Sequence, residues 1–280
     1  MKTIPQDTKK VFWKCGACSR TFFYLLNREF GQLSEEAERA ADPLAGGILQ
    51  KGHQCGMLWG AAMAVGAESY RRRGEGGQAT ALAIKATQHL VGSFSQRTST
   101  VNCREVTGTD FSNPFQMLRY MLFRAKGCFN LAEQWAPEAI QAAEQGLAFE
   151  PTELPQEQVS CAAEVARKMG ATEEEMAIVA GLAGGIGLSG QACGALGAAI
   201  WMNTLAWSRD NPGKSGYSNA YAKKTLDAFL DATDSKMLCH EVCGRRFETI
   251  EEHTEYVKSG GCEKLITILA QVHPAPVLQH

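Results

Sequence analysis

The chain lacks most of the features that announce a function. Its N-terminus, MKTIPQDTKKVFWKCGACSR, has no apolar core of signal-peptide length, so a cytoplasmic protein is expected. Neither sign of charge dominates. The formal net charge of -2 gives no broad electrostatic reason to expect nucleic acid or an anionic membrane as partner. There is no phosphate loop and no nucleophile–base–acid set. Acid runs such as Glu173-Glu174-Glu175 read as helix-start charges, and Arg71-Arg72-Arg73 as the solvated end of a helix. No C-x-x-C-H occurs, which excludes c-type haem attachment at such a motif. A single C-x-x-C, Cys15-Gly-Ala-Cys18, stands without the second pair that zinc knuckles use. Alternating apolar runs of the kind that make strands are scarce.

Cysteine is not scarce: there are ten in 280 residues. A chain of this length buries about three quarters of its unfolded surface and needs no disulfide support. In a reducing compartment, metal ligation or redox chemistry explains so many thiols better than structural disulfides do. Any one cysteine could still be a small buried hydrophobe, so their placement has to decide.

An internal repeat supplies that placement. LSEEAERAADPLAGGILQKGHQCGMLWGAAMAVG, from Leu33, aligns without a gap on ATEEEMAIVAGLAGGIGLSGQACGALGAAIWMNT, from Ala171. LAGGI recurs at Leu44 and Leu182, Gly52 meets Gly190, and Cys55-Gly56 meets Cys193-Gly194. NCREVTGTDF from Asn102 matches LCHEVCGRRF from Leu238, and Gly127-Cys128 matches Gly261-Cys262. Cys18 and Cys161 each open a helical segment that ends near Gly31 or Gly170. Four cysteines therefore recur in one order: Cys18, Cys55, Cys103, Cys128 and Cys161, Cys193, Cys239, Cys262. Cys15 and Cys243 have no counterpart. The division gives a first module over 1–150 and a second over 151–280, joined by a linker near 149–155 (FEPTELP).

Both halves read as helical. Ser34 and Thr172 are N-cap residues with acids in the following turn. The segment 131–147 has helical periodicity interrupted by Pro137. The segment 217–232 places apolar residues at three- and four-residue steps. The expected fold is all-α: two homologous helical bundles, packed together about a pseudo-two-fold axis. A single-copy relative would form the same arrangement as a homodimer.

The stretch GLAGGIGLSGQACGALGAA, from Gly181, admits three readings. Gly185-Ile-Gly187-Leu-Ser-Gly190 fits the dinucleotide fingerprint, but the first copy has Leu49 for the middle glycine and a capped helix, not a strand, leads into it. The uncharged run from Met176 to Ser208 is long enough to span a bilayer, but the first copy carries Asp42, Lys51 and His53 there. The third reading is a tight helix–turn–helix that presents Cys193. The small residues Gly56, Gly60, Ala61 and Gly194, Gly197, Ala198 would leave space for a neighbour bulkier than a side chain, or simply let helices pack closely.

Cys193-Gly194-Ala195-Leu196-Gly197-Ala198 and Cys55-Gly56-Met57-Leu58-Trp59-Gly60, with the flanking cysteines in order, resemble the redox-active C_GCAxxG_C_C proteins. The motifs depart from the pattern at Ala198 and Met57. The resemblance covers nearly the whole chain as a tandem duplication. A similar module in split-Soret cytochromes implies an iron–sulfur domain.

Four thiolates per half suit an iron–sulfur cluster. They also suit tetrahedral zinc, although the wide spacing favours a cluster cage. Buried thiolates need cationic metal or backbone N–H groups, and the glycine-rich turns before Cys55 and Cys193 could supply the latter. Cys15 and Cys243 are expected to be additional or alternative ligands, with an incidental role as the other reading. His53 and His240 are not repeated and suit supporting roles, Glu105 and Glu241 recur as supporting carboxylates or helix-surface contacts, and Trp59, Trp201 and Trp207 read as core. The expected function is electron transfer or redox sensing by cysteine-ligated iron–sulfur clusters, one per half or one shared, with a redox partner protein that the sequence does not identify. The alternatives are a metal-free thiol–disulfide protein, with Cys15 and Cys18 as a dithiol acidified by a helix start, and a structural zinc module that holds an interaction surface.

Overall fold

The computed structural model describes residues 7–154 and 156–273. Pro155, the second proline of the expected linker, lies outside the described residues; Pro151–Glu153 before it forms one 3₁₀ turn. Among the described residues there is no strand, and the fold is all-α.

The first half contains α1 (Thr8–Cys15), α2 (Cys18–Phe30), α3 (Glu35–Ala40), α4 (Gly56–Arg73), α5 (Gly77–Thr98), α6 (Cys103–Thr107), α7 (Pro114–Arg119) and α8 (Ala125–Gly146). The second contains α9 (Cys161–Lys168), α10 (Glu173–Ala180), α11 (Gly194–Asp210), α12 (Ala220–Ala232), α13 (Cys239–Cys243), α14 (Ile250–Lys258) and α15 (Glu263–Gln271). The repeat read from sequence pairs α2 with α9, α3 with α10, α4 with α11, and α6 with α13. The expected caps are present. Ser34 Oγ accepts the Ala37 N–H, and Thr172 and Glu175 form a reciprocal capping box. Gly31 closes α2 in the left-handed conformation.

α4 and α11 are apolar on all sides and are buried almost throughout, as such helices must be. α2 packs on α4 as α9 packs on α11. Across the axis, α10 of the second half packs on α4 and α3 of the first half packs on α11. This reciprocal exchange is the pseudo-two-fold relation expected from the repeat. Polar contacts follow it: Arg209 reaches both Glu36 (2.9 Å) and Glu175 (2.6 Å), and the buried Asp42 accepts the Ser215 hydroxyl and the Gly216 N–H, each at 2.9 Å. No helix among the described residues is long and apolar enough to cross a membrane.

Three local expectations change. α8 runs unbroken through Pro137. The proline removes one ladder bond, but Trp135, Ala136 and Ala139 around it are fully buried, and that packing outweighs the loss. Arg72 and Arg73 are not simply solvated: they donate to the carbonyls of Leu147 and Phe149 and fasten the end of α4 to the exit of α8. The third change concerns the small residues beside the cysteines. They leave no open space. A Cβ at Gly56 would meet Cys18 Sγ and the Ala45 backbone, one at Gly60 the α2 backbone, one at Gly194 the Leu182 carbonyl, and one at Gly197 the Trp59 ring. The glycines therefore serve close helix approach.

Candidate functional site

Every repeated cysteine stands at a helix start or at the packing face of a helix. Cys18, Cys103, Cys161 and Cys239 are the first residues of α2, α6, α9 and α13. Cys55, Cys193 and Cys262 are the N-caps of α4, α11 and α15, and Cys128 lies in the first turn of α8. One short antiparallel bridge in each half holds two of them in register. It pairs Gln54 with Asn102, and Ala192 with Leu238. Around it, Cys55 N–H donates to Val101 O and Cys103 N–H to His53 O; Cys193 N–H donates to Met237 O and Cys239 N–H to Gln191 O.

The LAGGI stretch before Cys55 and Cys193 is neither a nucleotide turn nor a helix–turn–helix. It is a left-handed turn. Gly46, Gly47, Ile48, Leu49, Gln50 and Gly52 all have positive φ, as do Gly184, Gly185, Ile186, Gly187, Leu188 and Gly190. The turn is closed by Gly52 N–H to Gly46 O (3.0 Å) and, in the copy, Gly190 N–H to Gly184 O (2.9 Å). Left-handed backbone costs an L-residue about 1–2 kcal/mol. The buried side chains of Ile48 and Ile186 offset that cost in the core. The turn has a product: the Gly46 N–H points at Cys18 Sγ, and the Gly184 N–H points at Cys161 Sγ. The glycine turns thus supply amide donors to sulfur, as expected, although to the cysteine that opens the neighbouring helix.

In the first half the thiols of Cys18, Cys55, Cys103 and Cys128 lie within each other's fields. Burial is the largest influence on each. It pushes Cys18 up to about 11 and lifts Cys55, Cys103 and Cys128 above the usual thiol range. In the second half Cys161, Cys193, Cys239 and Cys262 group likewise, with Cys161 pushed up to about 12 and Cys193 to about 11 by burial.

The two unrepeated cysteines part company. Cys243 joins the second group: its Sγ is 3.8 Å from Cys239 Sγ and 3.8 Å from Cys262 Sγ. Those two neighbouring thiols hold Cys243 well below the usual range. Cys15 ends α1, and its thiol faces Arg20, Glu38, Thr21 and Asp42 instead. The acidified Cys15–Cys18 dithiol is not formed. Cys18 does open a helix, but burial outweighs the helix end and raises both thiols.

Sequence reading missed the tyrosines. Tyr120 donates to Cys128, and Tyr256 lies beside Cys243 while its hydroxyl donates to the Gly261 carbonyl at 3.2 Å. Each ring packs on a phenylalanine nine residues earlier, Phe111 at 4.8 Å and Phe247 at 5.1 Å between centroids. The Phe–Tyr pair is itself repeated, and comparing the copies one block further would have found it. Tyr217 of the second half is 38% exposed, but its hydroxyl reaches the first group, where desolvation of that oxygen, then the charges of Cys18, Asp42 and Cys103, raise it. Among the other residues singled out, His240 Nδ1 lies 2.7 Å from Gly190 O and braces the second left-handed turn, with Glu241 bonding the Leu238 N–H at the start of α13. Glu105 bonds Thr100 and Asn102 at the start of α6. His53 is held neutral chiefly by burial. Trp59 and Trp201 are fully buried, and Trp207 is half-buried.

A cleft of about 550 Å³ opens onto Cys128, lined by Val106, Phe123, Gly127 and Leu131. Its counterpart of about 240 Å³ opens onto Cys262, lined by Val242, Tyr256, Gly261 and Leu265. Each half therefore has one thiol at a solvent-facing mouth, with three further thiols grouped with it in the first half and four in the second. Among the described residues no three Cys, His, Asp or Glu side chains converge tightly enough to hold a single metal ion.

The architecture and the two thiol groups define a duplicated all-α cysteine module. The family described as "Putative redox-active protein (C_GCAxxG_C_C)" matches residues 17–140 and again 158–273, and the chain belongs to that family as a tandem duplication. No curated protein and no solved structure matches the chain.

Proposed function

We propose that each half holds an iron–sulfur cluster on its repeated cysteines and that the protein transfers or senses electrons. The observation that carries this reading is the grouping of four buried or half-buried thiols twice over, with amide N–H groups aimed at Cys18 and Cys161 sulfur. Such a set is uncomfortable as free thiolates, because each raises the pKa of its neighbours, and a cation relieves it. The donor set fits the group. Clusters are usually held by four cysteine thiolates, on irons that stand apart. One zinc ion asks for all its sulfurs at about 2.3 Å from a single point. That no three donors among the described residues converge on one point favours a cluster over one ion.

Cys18, Cys55, Cys103 and Cys128 would hold one cluster, and Cys161, Cys193, Cys262 and a residue of α13 the other. The bound group would supply reversible one-electron chemistry. The chain's own part is to exclude water through the α2–α4 and α9–α11 interfaces. It also directs the Gly46 and Gly184 amides and the Tyr120 hydroxyl at sulfur, and opens Cys128 and Cys262 to a redox partner protein.

Anaerobic purification with assays for iron, acid-labile sulfide and visible absorption tests this. Iron and sulfide together with a visible chromophore are expected. Zinc alone, or neither metal with a reversible two-electron thiol titration, overturns the reading in favour of a zinc module or a thiol–disulfide protein.

A further inference from the structure

The second half has one thiol too many. Five sulfurs, from Cys161, Cys193, Cys239, Cys243 and Cys262, share its cavity, where the first half has four. The surplus arises at one position. α6 and α13 are equivalent five-residue helices, and the last residue is Thr107 in α6 and Cys243 in α13. In α6 the Thr107 hydroxyl turns back onto the Cys103 carbonyl at 2.7 Å and takes no part in the thiol group. In α13 the same position carries sulfur, which touches Cys239 and Cys262 alike.

Cys239 and Cys243 lie four residues apart, on consecutive turns of one helix, so both present sulfur on the same face. The surroundings are built around Cys243. Tyr256 lies beside it with its hydroxyl on the Gly261 carbonyl at 3.2 Å, and His253, 1% exposed and with Nδ1 lacking any hydrogen-bond partner, lies within range of its charge. The first half has Met117 in place of His253.

We propose that Cys239 and Cys243 are interchangeable ligands of the second-half cluster, so that the site survives the loss of either. The first-half site has no such reserve. The proposal rests on the iron–sulfur reading above. A cluster takes four thiolates. Cys161, Cys193 and Cys262 come from three separate elements and leave one ligand to α13, which offers two sulfurs within reach. Exchange between them changes neither the charge nor the number of ligands: one thiolate leaves iron and takes up the proton that the incoming thiol releases. The α13 sulfur that is not bound remains a free thiol against the cluster.

The test loads the full chain anaerobically with ferrous iron and sulfide, and counts both per chain beside the visible circular dichroism spectrum. Cys239→Ser and Cys243→Ser should each load like the wild type. The double variant should lose about half the iron, and Cys103→Ser alone should also lose about half, one four-cysteine site in each case. The first-half cluster is the internal standard for folding in the α13 variants. Half loading of either single α13 variant, or full loading of the double variant, overturns the proposal. A transplant gives an independent arm: Thr107→Cys added to Cys103→Ser should restore full loading. A transplant that melts like the wild type yet stays half-loaded also counts against it. A wild-type chain without iron or sulfide fails the iron–sulfur reading itself. A loaded wild type with a half-loaded Cys239→Ser fails only the interchange.

Discussion

Gly46 aims its amide N–H at Cys18 Sγ from within a left-handed turn, and Gly184 does the same to Cys161. Tight geometry thus serves sulfur rather than phosphate. Gly47 and Gly185 cannot carry side chains, because a Cβ on either would strike the backbone of His53 or Gln191. Gly185→Ala should therefore abolish metal loading of the second half while sparing the first. Gln50, exposed and left-handed, is different. Gln50→Gly should stabilise the protein by up to about 1 kcal/mol, since the strain relieved exceeds the added chain entropy. Chemical denaturation reads it directly; a loss of stability would show that the turn is not strained there.

Tyr120 places a hydroxyl donor on Cys128, one of the proposed cluster ligands. Hydrogen bonds to ligand sulfur stabilise the reduced, more negative state. With a cluster bound, Tyr120→Phe should shift the first-half midpoint potential to more negative values in a redox titration. In metal-free protein, Tyr120→Phe should also raise the pKa of Cys128, seen as slower alkylation at fixed pH. An unmoved potential would mean that the hydroxyl only packs.

Without metal, the protein should weaken in alkali. Burial raises Cys18 and Cys193 to about 11 and Cys161 to about 12, above the unfolded thiol range. The folded state therefore holds these protons more tightly than the unfolded chain. Their contribution is complete below about pH 8.5 and declines as pH rises towards the folded values, by up to about 1.4 kcal/mol per pH unit for each thiol. Urea midpoints at pH 7 and pH 10 check this. Metal-loaded protein should show the opposite weakness, releasing metal on acidification as protons compete for thiolate.

Selective alkylation follows from Cys243. The two flanking thiols at 3.8 Å lower it below the usual thiol range, so in metal-free protein it should react with iodoacetamide before any other cysteine, by peptide mapping. Cys15, raised by burial, should react slowly despite its C-x-x-C motif.

Much of this was legible in the chain. Four cysteines recurring in order located both thiol groups, and the capped helices followed from Ser34 and Thr172. Handedness was not legible, because Ile48, Leu49 and Gln50 carry no mark of a left-handed backbone; only the flanking glycines hint at it. Nor could spacing show that Cys15 lies among Arg20, Thr21 and Glu38 while Cys243 joins the thiols of its half. Both depend on which face of a short helix meets the cavity. The C-x-x-C motif misled because helix-end acidification is a local effect and burial is a tertiary one. α8 passed through Pro137 for the same reason.

Trp59 packs against Gly197, the residue that holds its own place in the other copy. Gly197→Ala should displace that ring and cost about 1–3 kcal/mol, by denaturation. The pairing also says what fusing two modules in one chain permits. Two identical subunits meeting about an axis would set Trp against Trp, which do not both fit, or Gly against Gly, which leaves a void. Covalent fusion lifts that rule of identity: a large residue can be matched by a small one across the axis, and each half is free to specialise around the contact. Cys243 and Tyr217, each present on one side only, are the products of that freedom.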